Sequence, residues 1–531
     1  MSLPARWIHI DLKGLAPTVE ALCASLERFA GWGATGFLFE IEDMFPYRAA
    51  RQAVRADAYS LEEWQSIHAT CSRLGTAFVP LIQTLGHLEW CLWHVDFAPL
   101  RLADERNRHV SHAHEIYQVW PCDPAALALI RALVSEVLEC FPGLTYLHLG
   151  GDETWFEDRD PGGDYLAHMR PLFDIVTAAG VRPMIWGDML LKYFETLDRL
   201  PADVIITDWI YSHRRRTGTN PRVWGEDFKD WATLSPGRRA AFGRHLYRGL
   251  PEGGPEVRLY PYPSYLREQG RPYFVCPAAQ SCVDPFTHPT LAWKFDNGRS
   301  YVQEGADCGA AGAINTDWIV RRVMRELTRL PHYGFLRCAA MPAQAPGNGA
   351  IVRDYWNDLA AGSGGEAVRA FTPVLEATGD LMNETRPIAH RRDRTGWEVG
   401  TLAAKTAGDA ARPGDAEEGD PRVAAHRALV EAGGELARFA GRTAAGLSGE
   451  ARAEAAAWEL AGRDMAVRAR IWLLIRDRRR GGVVPGAAAI AAELAALEAA
   501  FRGLWQGRYL PTDIAAERDW RFGDPRGFVG R

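Results

Sequence analysis

The chain lacks the features that place a protein in a membrane or on nucleic acid. No window of the 531 residues approaches the roughly 18 uninterrupted apolar residues of a membrane-spanning helix. Residues 1–7 have no charged start followed by an apolar stretch and a cleavage site, so we expect no signal peptide. The formal net charge of −6 argues against nucleic acid or an anionic membrane as the main partner.

Cysteine pairs are missing as well. The nine cysteines are odd in number and irregularly spaced, and no CxxC pair has a partner pair. Several lie in apolar surroundings, among them Cys91, Cys140 and Cys276, which is typical of buried free thiols. We therefore expect a cytoplasmic protein without structural disulfides.

What the first part of the chain contains is an alternation of short apolar runs with helical patterns. Runs of this kind are expected for strands of a parallel sheet that is buried on both faces. The eight runs are Trp7–Leu12, Gly36–Ile41, Ala77–Gln83, Tyr146–Leu149, Arg182–Trp186, Val204–Trp209, Tyr273–Ala278 and Gly312–Asn315. The alternation predicts an α/β fold, a (β/α)8 TIM barrel, with a doubly wound open sheet as the structural alternative. Residues 214–262 are irregular and predict no clear element.

The helical patterns between these runs show an apolar face or a signal for the start of a helix. The pattern Thr18–Ala30 places apolar residues on one face, and Leu61–Leu74 follows Ser60 with Glu63 three residues on, which predicts a capping box. Thr287 is expected to cap a helix that begins at Pro289.

Beyond residue 340 the sequence shows helical patterns only. They are Ile351–Ala361, Glu366–Leu381, Arg422–Phe439, Glu450–Arg476 and Ala487–Trp505. Between the second and third lies Ala403–Pro421, whose Ala, Gly and Asp content predicts an exposed mobile loop. We therefore expect a catalytic barrel at 1–339 and an all-helical accessory domain at 340–531, which caps the barrel or mediates a homodimer.

The fourth run carries the sharpest chemical signal. Asp152 and Glu153 follow Gly150 and Gly151 at the end of a buried strand, where unpaired charges are unfavourable and reacting groups of a barrel gather. The strand ends offer no serine nucleophile elbow and no glycine-rich phosphate loop, but they are rich in carboxylates and tryptophan. Carboxylates bind hydroxyls and cleave glycosidic bonds, and tryptophan faces stack on sugars, so this composition favours a carbohydrate substrate.

The motif His148-Leu-Gly-Gly-Asp152-Glu153 resembles the His-x-Gly-Gly-Asp-Glu motif of glycoside hydrolase family 20, the β-N-acetylhexosaminidases. The chain is most similar to the hexosaminidase D branch, and the likeness covers residues 7 to 335. The other segments that support it are Ile8–Gly14, Gly33–Gly36, Glu42–Tyr47, Val79–Glu89 and Trp186–Met189.

The resemblance implies a retaining, exo-acting enzyme that removes terminal N-acetylglucosamine or N-acetylgalactosamine without a metal or other cofactor. Glu153 would be the general acid, and Asp152 would orient the 2-acetamido group that attacks the anomeric carbon to give an oxazolinium intermediate. This substrate-assisted route is an exception to the scheme with two catalytic carboxylates. The resemblance implies these substrate-binding residues: Asp11, His87, His148, Trp186, Asp188, Trp209, Asp317 and Trp318.

Two departures leave the choice between gluco and galacto epimers open. Many family members bind sugar hydroxyls with an arginine on the first strand, where this chain has Asp11 and Lys13. The pattern Asn315–Trp318 also differs from the usual Trp-x-Glu. Two other functions stay open: a metal-dependent barrel hydrolase or isomerase using histidine and carboxylate ligands, and a sugar-binding protein that has lost catalysis.

Overall fold

The computed structural model describes most of the barrel and most of the C-terminal helices. The described residues are 2–102, 118–154, 156, 160–212, 217–227, 229–246, 257–281, 284, 287–318, 324–376, 420–479 and 486–529. The expected mobile loop Ala403–Pro421 lies outside them except for its last two residues, as do residues 377–381 of the predicted helix Glu366–Leu381.

Eight parallel strands close into a barrel, as the alternation predicts. In chain order they are Ala5–Asp11, Gly36–Glu40, Ala77–Leu81, Tyr146–His148, Arg182–Trp186, Ile205–Trp209, Tyr273–Cys276 and Gly312–Asp317. Each strand pairs with the next, and the first pairs with the eighth in the register Ala5↔Gly312 to Ile8↔Asn315. This closure excludes the open-sheet alternative. Two short additions are Ala278–Gln280, which pairs with the eighth strand, and a ribbon of Thr217–Gly218 with Val257–Arg258.

Helices surround the barrel. Their bounds are Val19–Gly31, Leu61–Arg73, Glu89–Leu92, Pro124–Cys140, Pro161–Ala178, Asp188–Lys192, Pro236–Leu246, Tyr262–Glu268, Leu291–Cys308 and Arg325–Ala340. The capping box of Ser60 and Glu63 is present, with both reciprocal hydrogen bonds. Among its described residues, the irregular stretch 214–262 has the 3-10 helix Trp231–Thr233, the α-helix Pro236–Leu246 and the first residue of Tyr262–Glu268.

The predicted cap at Thr287 is wrong. The helix begins at Leu291 with Thr290 at the N-cap position. The hydroxyl of Thr287 is instead 3.0 Å from Nδ1 of His288 and buried, and the backbone N–H of Thr290 donates to Asp284 at 2.8 Å. Local side-chain bonds of this kind compete with capping, and the sequence does not show which one forms.

The C-terminal region of the described chain is helical. Its helices are Asn348–Leu359, Gly364–Glu376, Pro421–Ala445, Gly449–Arg479, Ala487–Trp505 and Pro511–Val529. They share one hydrophobic cluster with residues of the barrel helices, among them Leu291, Phe295 and Leu327. Leu15, from the loop after the first strand, also belongs to this second core. The helical region therefore packs directly on the barrel, and the domain boundary at residue 339 stays a prediction.

Within the described ranges, no helix combines the length and the apolar character that crossing a membrane requires. The described cysteines are all free: Cys23, Cys71, Cys91, Cys122, Cys140, Cys276, Cys308 and Cys338.

Candidate active site

Polar side chains converge at the carboxyl ends of the barrel strands. Side chains alternate along each strand, so every second residue points into the barrel. On the first strand His9 and Asp11 point inward, and Glu40 on the second strand lies 3.2 Å from Nε2 of His9. The inward set continues past the strand ends into the loops, where the acid pair Asp152 and Glu153 lies.

The Gly-Gly turn determines where the acid pair lies. Gly150 and Gly151 have φ values of 62° and 87°, and a Cβ on Gly150 would come 3.1 Å from the Cα of Gln83. Glycine is therefore required for this left-handed, crowded turn. Glu153 also has a positive φ, 47°, which is uncommon for a residue with a side chain and is frequent at functional sites.

His87 joins the two acids of the pair. Its Nε2 lies 3.3 Å from Oδ2 of Asp152 and 3.5 Å from Oε2 of Glu153. Burial alone would lower the pKa of His87, but the charge of Asp152, the hydrogen bonds to Asp152 and Glu153 and the charge of Glu89 together raise this pKa well above its usual value. The imidazole therefore carries a positive charge between the two carboxyl groups.

Asp188 fixes the backbone of the acid pair from the neighbouring strand. Its Oδ2 accepts a 2.8 Å hydrogen bond from the N–H of Glu153, and its Oδ1 accepts one from the Trp209 indole at 3.4 Å. Burial, followed by the charge of Asp152, raises the pKa of Asp188 to about 8. Asp188 thus constrains the unusual backbone of Glu153.

Aromatic rings form one wall of the site. Trp186 and Trp318 lie with their ring centroids 5.7 Å apart, and the Trp318 indole donates to the Tyr211 hydroxyl at 2.7 Å. Tyr211 in turn stacks on Trp209 at 5.1 Å. The three predicted tryptophans are therefore brought together by Tyr211, which the sequence did not single out.

Lys13 lies close to three acidic side chains on another side of the barrel mouth. Its Nζ lies 2.6 Å from Glu40, 3.3 Å from Glu42 and 3.8 Å from Asp11. It also lies 5.5 Å from the centroid of the Trp318 ring, so this group borders the aromatic wall. We refer to Lys13, Asp11, Glu40 and Glu42 as the lysine cluster.

The acids of the lysine cluster differ in protonation. Burial alone would raise the pKa of Glu40, but Lys13 and His9 lower it below its usual value. Burial raises the pKa of Asp11 to about 6 although Lys13 opposes it, and burial raises the pKa of Glu42 well above its usual value. Glu40 is therefore the carboxylate that is most firmly paired with Lys13.

Two of the predicted substrate-binding residues, His148 and Asp317, are held by contacts away from the mouth of the barrel. His148 is fully buried beneath the turn, where its Nδ1 accepts from the N–H of Gly150 at 3.0 Å and its Nε2 lies 2.8 Å from Thr207 Oγ1. Burial lowers the pKa of His148 to about 3, so the ring is neutral. Its place in the structure is that of a support for the turn.

Asp317 faces out of the barrel. Its Oδ2 accepts a 2.7 Å hydrogen bond from Thr328 and lies 3.1 Å from Nε2 of His332, both on the helix Arg325–Ala340. Trp318 faces inward, and strand alternation therefore turns Asp317 toward the helices. The structure does not bring Asp317 together with the acid pair.

Some residues of the site were not assigned from the sequence. Lys13, Glu40 and Glu42 stood at predicted strand ends, and strict alternation along the first strand from His9 would have placed Lys13 on the inward face. Glu89 was named only as the last residue of the segment Val79–Glu89. Burial raises the pKa of Glu89 to about 7, although the charge of His87 opposes this. Tyr211 had no signal beyond its position two residues after Trp209.

Metal ligation was an open alternative for the histidines and carboxylates of this region. Among the residues that the structure describes, no three His, Cys, Asp or Glu side chains form a group that could hold a metal ion. Nε2 of His87, the ring nitrogen nearest the acid pair, already contacts the carboxyl groups of Asp152 and Glu153.

Residues 41–220 match the model of the glycosyl hydrolase family 20 catalytic domain. The matched segment contains the third to sixth strands, the Gly-Gly turn and the acid pair. This segment belongs to glycosyl hydrolase family 20. The family assignment made from the motif is thereby confirmed.

Two curated relatives share the family 20 segment. Hexosaminidase D of Homo sapiens is 35% identical over 201 residues, which are 35% of this chain and 40% of that protein. Hexosaminidase D of Bos taurus is 33% identical over 202 residues, or 35% of this chain and 56% of that protein. The chain therefore spans less than two thirds of the length of the curated relatives it matches.

Solved family 20 structures are more distant. A β-N-acetylhexosaminidase from Streptomyces coelicolor A3(2) is 14% identical, with 68% of each chain covered and a TM-score of 0.44. The N-acetyl-β-hexosaminidase of Streptomyces plicatus is 14% identical, with 69% of this chain and 68% of that chain covered and a TM-score of 0.42. At these TM-scores neither structure supports residue-level conclusions about this chain.

Proposed function

We propose that this protein is a retaining, exo-acting β-N-acetylhexosaminidase that uses substrate-assisted catalysis. Its substrates are glycans that end in N-acetylglucosamine or N-acetylgalactosamine, and the reaction needs no cofactor. The family 20 segment and the relatives named hexosaminidase D support this proposal, and the geometry around Asp152 supports the mechanism.

The observation that carries the proposal is an open oxygen on Asp152. Oδ2 is held by His87 at 3.3 Å, whereas no donor within the described chain bonds Oδ1, although the side chain is buried. A buried carboxylate oxygen without a donor is unfavourable, so a ligand that supplies one is favoured. The N–H of a 2-acetamido group is such a donor. As the acetamide oxygen attacks the anomeric carbon, this nitrogen becomes positive and Asp152 stabilises it.

Glu153 supplies and recovers the proton in this scheme. Its side chain is 29% exposed, so it can reach a leaving oxygen at the mouth of the barrel, while its backbone is fixed by Asp188. Donation to the leaving oxygen leaves a carboxylate beside the charged His87, which stabilises it. The same carboxylate then accepts a proton from the water that opens the oxazolinium, giving retention.

The lysine cluster would hold the ring hydroxyls. An ammonium has three donors, and Lys13 uses two of them on Glu40 and Glu42 at 2.6 and 3.3 Å. Acids that share this cation can accept hydrogen bonds from hydroxyls, and the adjacent Trp318 offers a ring face. Trp186 and Trp209 would close the pocket around the acetamide. We further propose a cytoplasmic location, since the described cysteines are all free thiols.

Hydrolysis of aryl glycosides tests the proposal. We expect cleavage of the aryl β-N-acetylglucosaminide or galactosaminide, no cleavage of the plain β-glucoside, and no effect of a chelator. Loss of activity with the chelator would support the metal-dependent alternative. Binding of N-acetylglucosamine without turnover would support the sugar-binding alternative. Cleavage of the plain β-glucoside at a similar rate would overturn the substrate-assisted mechanism.

A further inference from the structure

The loop that carries Lys13 is held from outside the barrel by one segment of the C-terminal region. Residues 11–17 are buried, and Leu15 packs into the second hydrophobic core. The backbone N–H of Thr18 donates to the carbonyl of Arg508 at 2.8 Å, and that of Leu510 donates to Ala16 at 3.0 Å. Pro17 and Tyr509 form an antiparallel bridge between these bonds, so the two segments pair like a short ribbon.

Asp513 connects this ribbon to the second loop of the lysine cluster. Its Oδ2 accepts from the N–H of Ala16 at 3.0 Å and from the Arg55 guanidinium, also at 3.0 Å. The N–H of Arg55 donates to the carbonyl of Asp43, the neighbour of Glu42, at 3.3 Å. One carboxylate oxygen thus ties the loop after the first strand to the loop after the second.

Residues 508–510, which pair with the loop, are held in turn by charged residues of the barrel and of the helical region. The Tyr509 hydroxyl lies 2.8 Å from both carboxylate oxygens of Glu326, on the last barrel helix. Arg508 pairs with the same Glu326 at 3.2 Å and with Glu450 at 2.8 Å. Buried polar contacts of this kind act as a network, so a change in this segment is transmitted to the barrel loop.

We propose that Asp513 is a positioning residue for the active site, acting through Lys13 and Glu42. Its described contacts are to Ala16 and Arg55 in the two loops, and its side chain is 3% exposed. The distances of 2.6 and 3.3 Å between Lys13 and its acids depend on two loops, and Asp513 is bonded to both. The helical region is then part of the machinery that binds the sugar ring. This inference rests on the proposed function of the lysine cluster.

The first arm of the test is kinetic. Losing the charged contact to Arg55 in Asp513→Asn should raise KM for the aryl β-N-acetylglucosaminide by about tenfold while kcat changes by less than about threefold. In a Lys13→Met background the same substitution should change KM by less than about twofold, since its route to the substrate is already lost. Equal fold-changes in both backgrounds, or an unchanged KM in Asp513→Asn, would overturn the proposal.

A control separates positioning from general loosening of the helical region. Asp420 caps the helix Pro421–Ala445, and its described hydrogen bonds are to Arg422 in the first turn of that helix. Asp420→Asn should lower the melting temperature but leave KM within about twofold. Should Asp513→Asn fail to fold, Asp513→Glu keeps the charge and displaces the oxygen, and it should raise KM by a smaller factor of about three.

The second arm does not depend on turnover. Hydrogen exchange in peptides covering residues 12–18 should be faster in Asp513→Asn than in the wild type, and unchanged in Asp420→Asn. If the wild-type protein cleaves no N-acetyl substrate, the proposed function fails, and this arm alone decides whether Asp513 positions the loop. Unchanged exchange over residues 12–18 in Asp513→Asn would contradict the positioning role.

Discussion

The two groups of acids at the barrel mouth are built in opposite ways. In the lysine cluster both oxygens of Glu40 lie close to nitrogen atoms: Lys13 Nζ and Gln83 Nε2 lie 2.6 and 3.2 Å from Oε1, and Nε2 of His9 lies 3.2 Å from Oε2. In the acid pair, Oδ1 of the buried Asp152 has no hydrogen-bond donor within the described chain. The carboxylate of Glu40 is thus neutralised by groups of the chain itself, whereas Oδ1 of Asp152 leaves a position for a donor from a ligand.

The difference indicates a division of labour. Carboxylates that are paired with a cation are suited to hold a ring in place, because their geometry does not change during the reaction. A carboxylate with an open oxygen is suited to meet charge that develops on the substrate, because its contact with the acetamide N–H strengthens as that charge develops. Variants of each group should therefore affect different kinetic constants.

The largest effect is expected for Glu153, the proposed general acid. Glu153→Gln removes the proton donor, so turnover of substrates with poor leaving groups should fall by roughly 10²–10⁴. Aryl glycosides with activated leaving groups should lose far less, since they depart without protonation. Comparing kcat/KM for the two substrate types measures the difference, and a uniform small loss on both would contradict the assignment of Glu153 as general acid.

Asp152→Asn should come next, with a loss in kcat of roughly 10²–10³ on N-acetyl substrates. The amide cannot stabilise a positive oxazolinium, and its own N–H₂ group would meet the acetamide N–H. KM should change little, because the contact strengthens mainly in the transition state. A raised KM with wild-type kcat would instead assign Asp152 to binding of the ground state. The acid pair and the lysine cluster would then have the same role.

Lys13→Met tests the lysine cluster in the same assay. Loss of the ammonium should raise KM by roughly 10- to 100-fold while kcat falls less, since charge-assisted contacts to the ring are removed. The variant also leaves Glu40 without its nearest cation, so the urea midpoint should drop, and Lys13→Arg is the control that keeps the charge. An effect confined to kcat would place Lys13 with the reacting groups.

The barrel was predictable because its strands are buried on both faces and read as continuous apolar runs. The helix Pro511–Val529 was missed for the converse reason. Its buried positions include Asp513, Glu517 and Arg521, and Arg521 pairs with the buried Asp464 at 3.3 Å. Charged residues that are buried through tertiary ion pairs break the apolar periodicity on which sequence prediction depends.

Site residues were predictable to the extent that they follow strand ends. Asp152, Glu153 and Asp188 stood in such positions, and the structure brings them together. Asp317 stood at a strand end too, but the eighth strand continues through Asp317, two residues beyond its predicted end, so that alternation turns this side chain outward. The direction of a side chain depends on where its strand ends, and strand ends are the least certain feature of a prediction from sequence.

The smallest effect on activity is expected for Asp208, a buried acid outside the mouth. It accepts hydrogen bonds from the Tyr260 and Tyr301 hydroxyls, each at 2.6 Å, and burial raises its pKa to about 7. Asp208 thus shares a raised pKa with Asp188 but lacks an open oxygen of the kind found on Asp152. If a reacting acid is marked by an open oxygen next to the acid pair and not by a raised pKa, Asp208→Asn should leave kcat/KM within about twofold.

The pH dependence of stability should nevertheless respond to this substitution. An unfolded aspartate has a pKa of about 3.9, so between pH 4 and 7 the folded protein keeps a proton on Asp208 that the unfolded chain releases. Stability from this group is full below pH 4 and is lost as the pH rises toward 7. The urea midpoint of Asp208→Asn should therefore fall less steeply from pH 5 to 7 than that of the wild type. Parallel pH profiles, or a loss of activity above about tenfold, would show that Asp208 is ionised in the folded protein or belongs with the reacting acids.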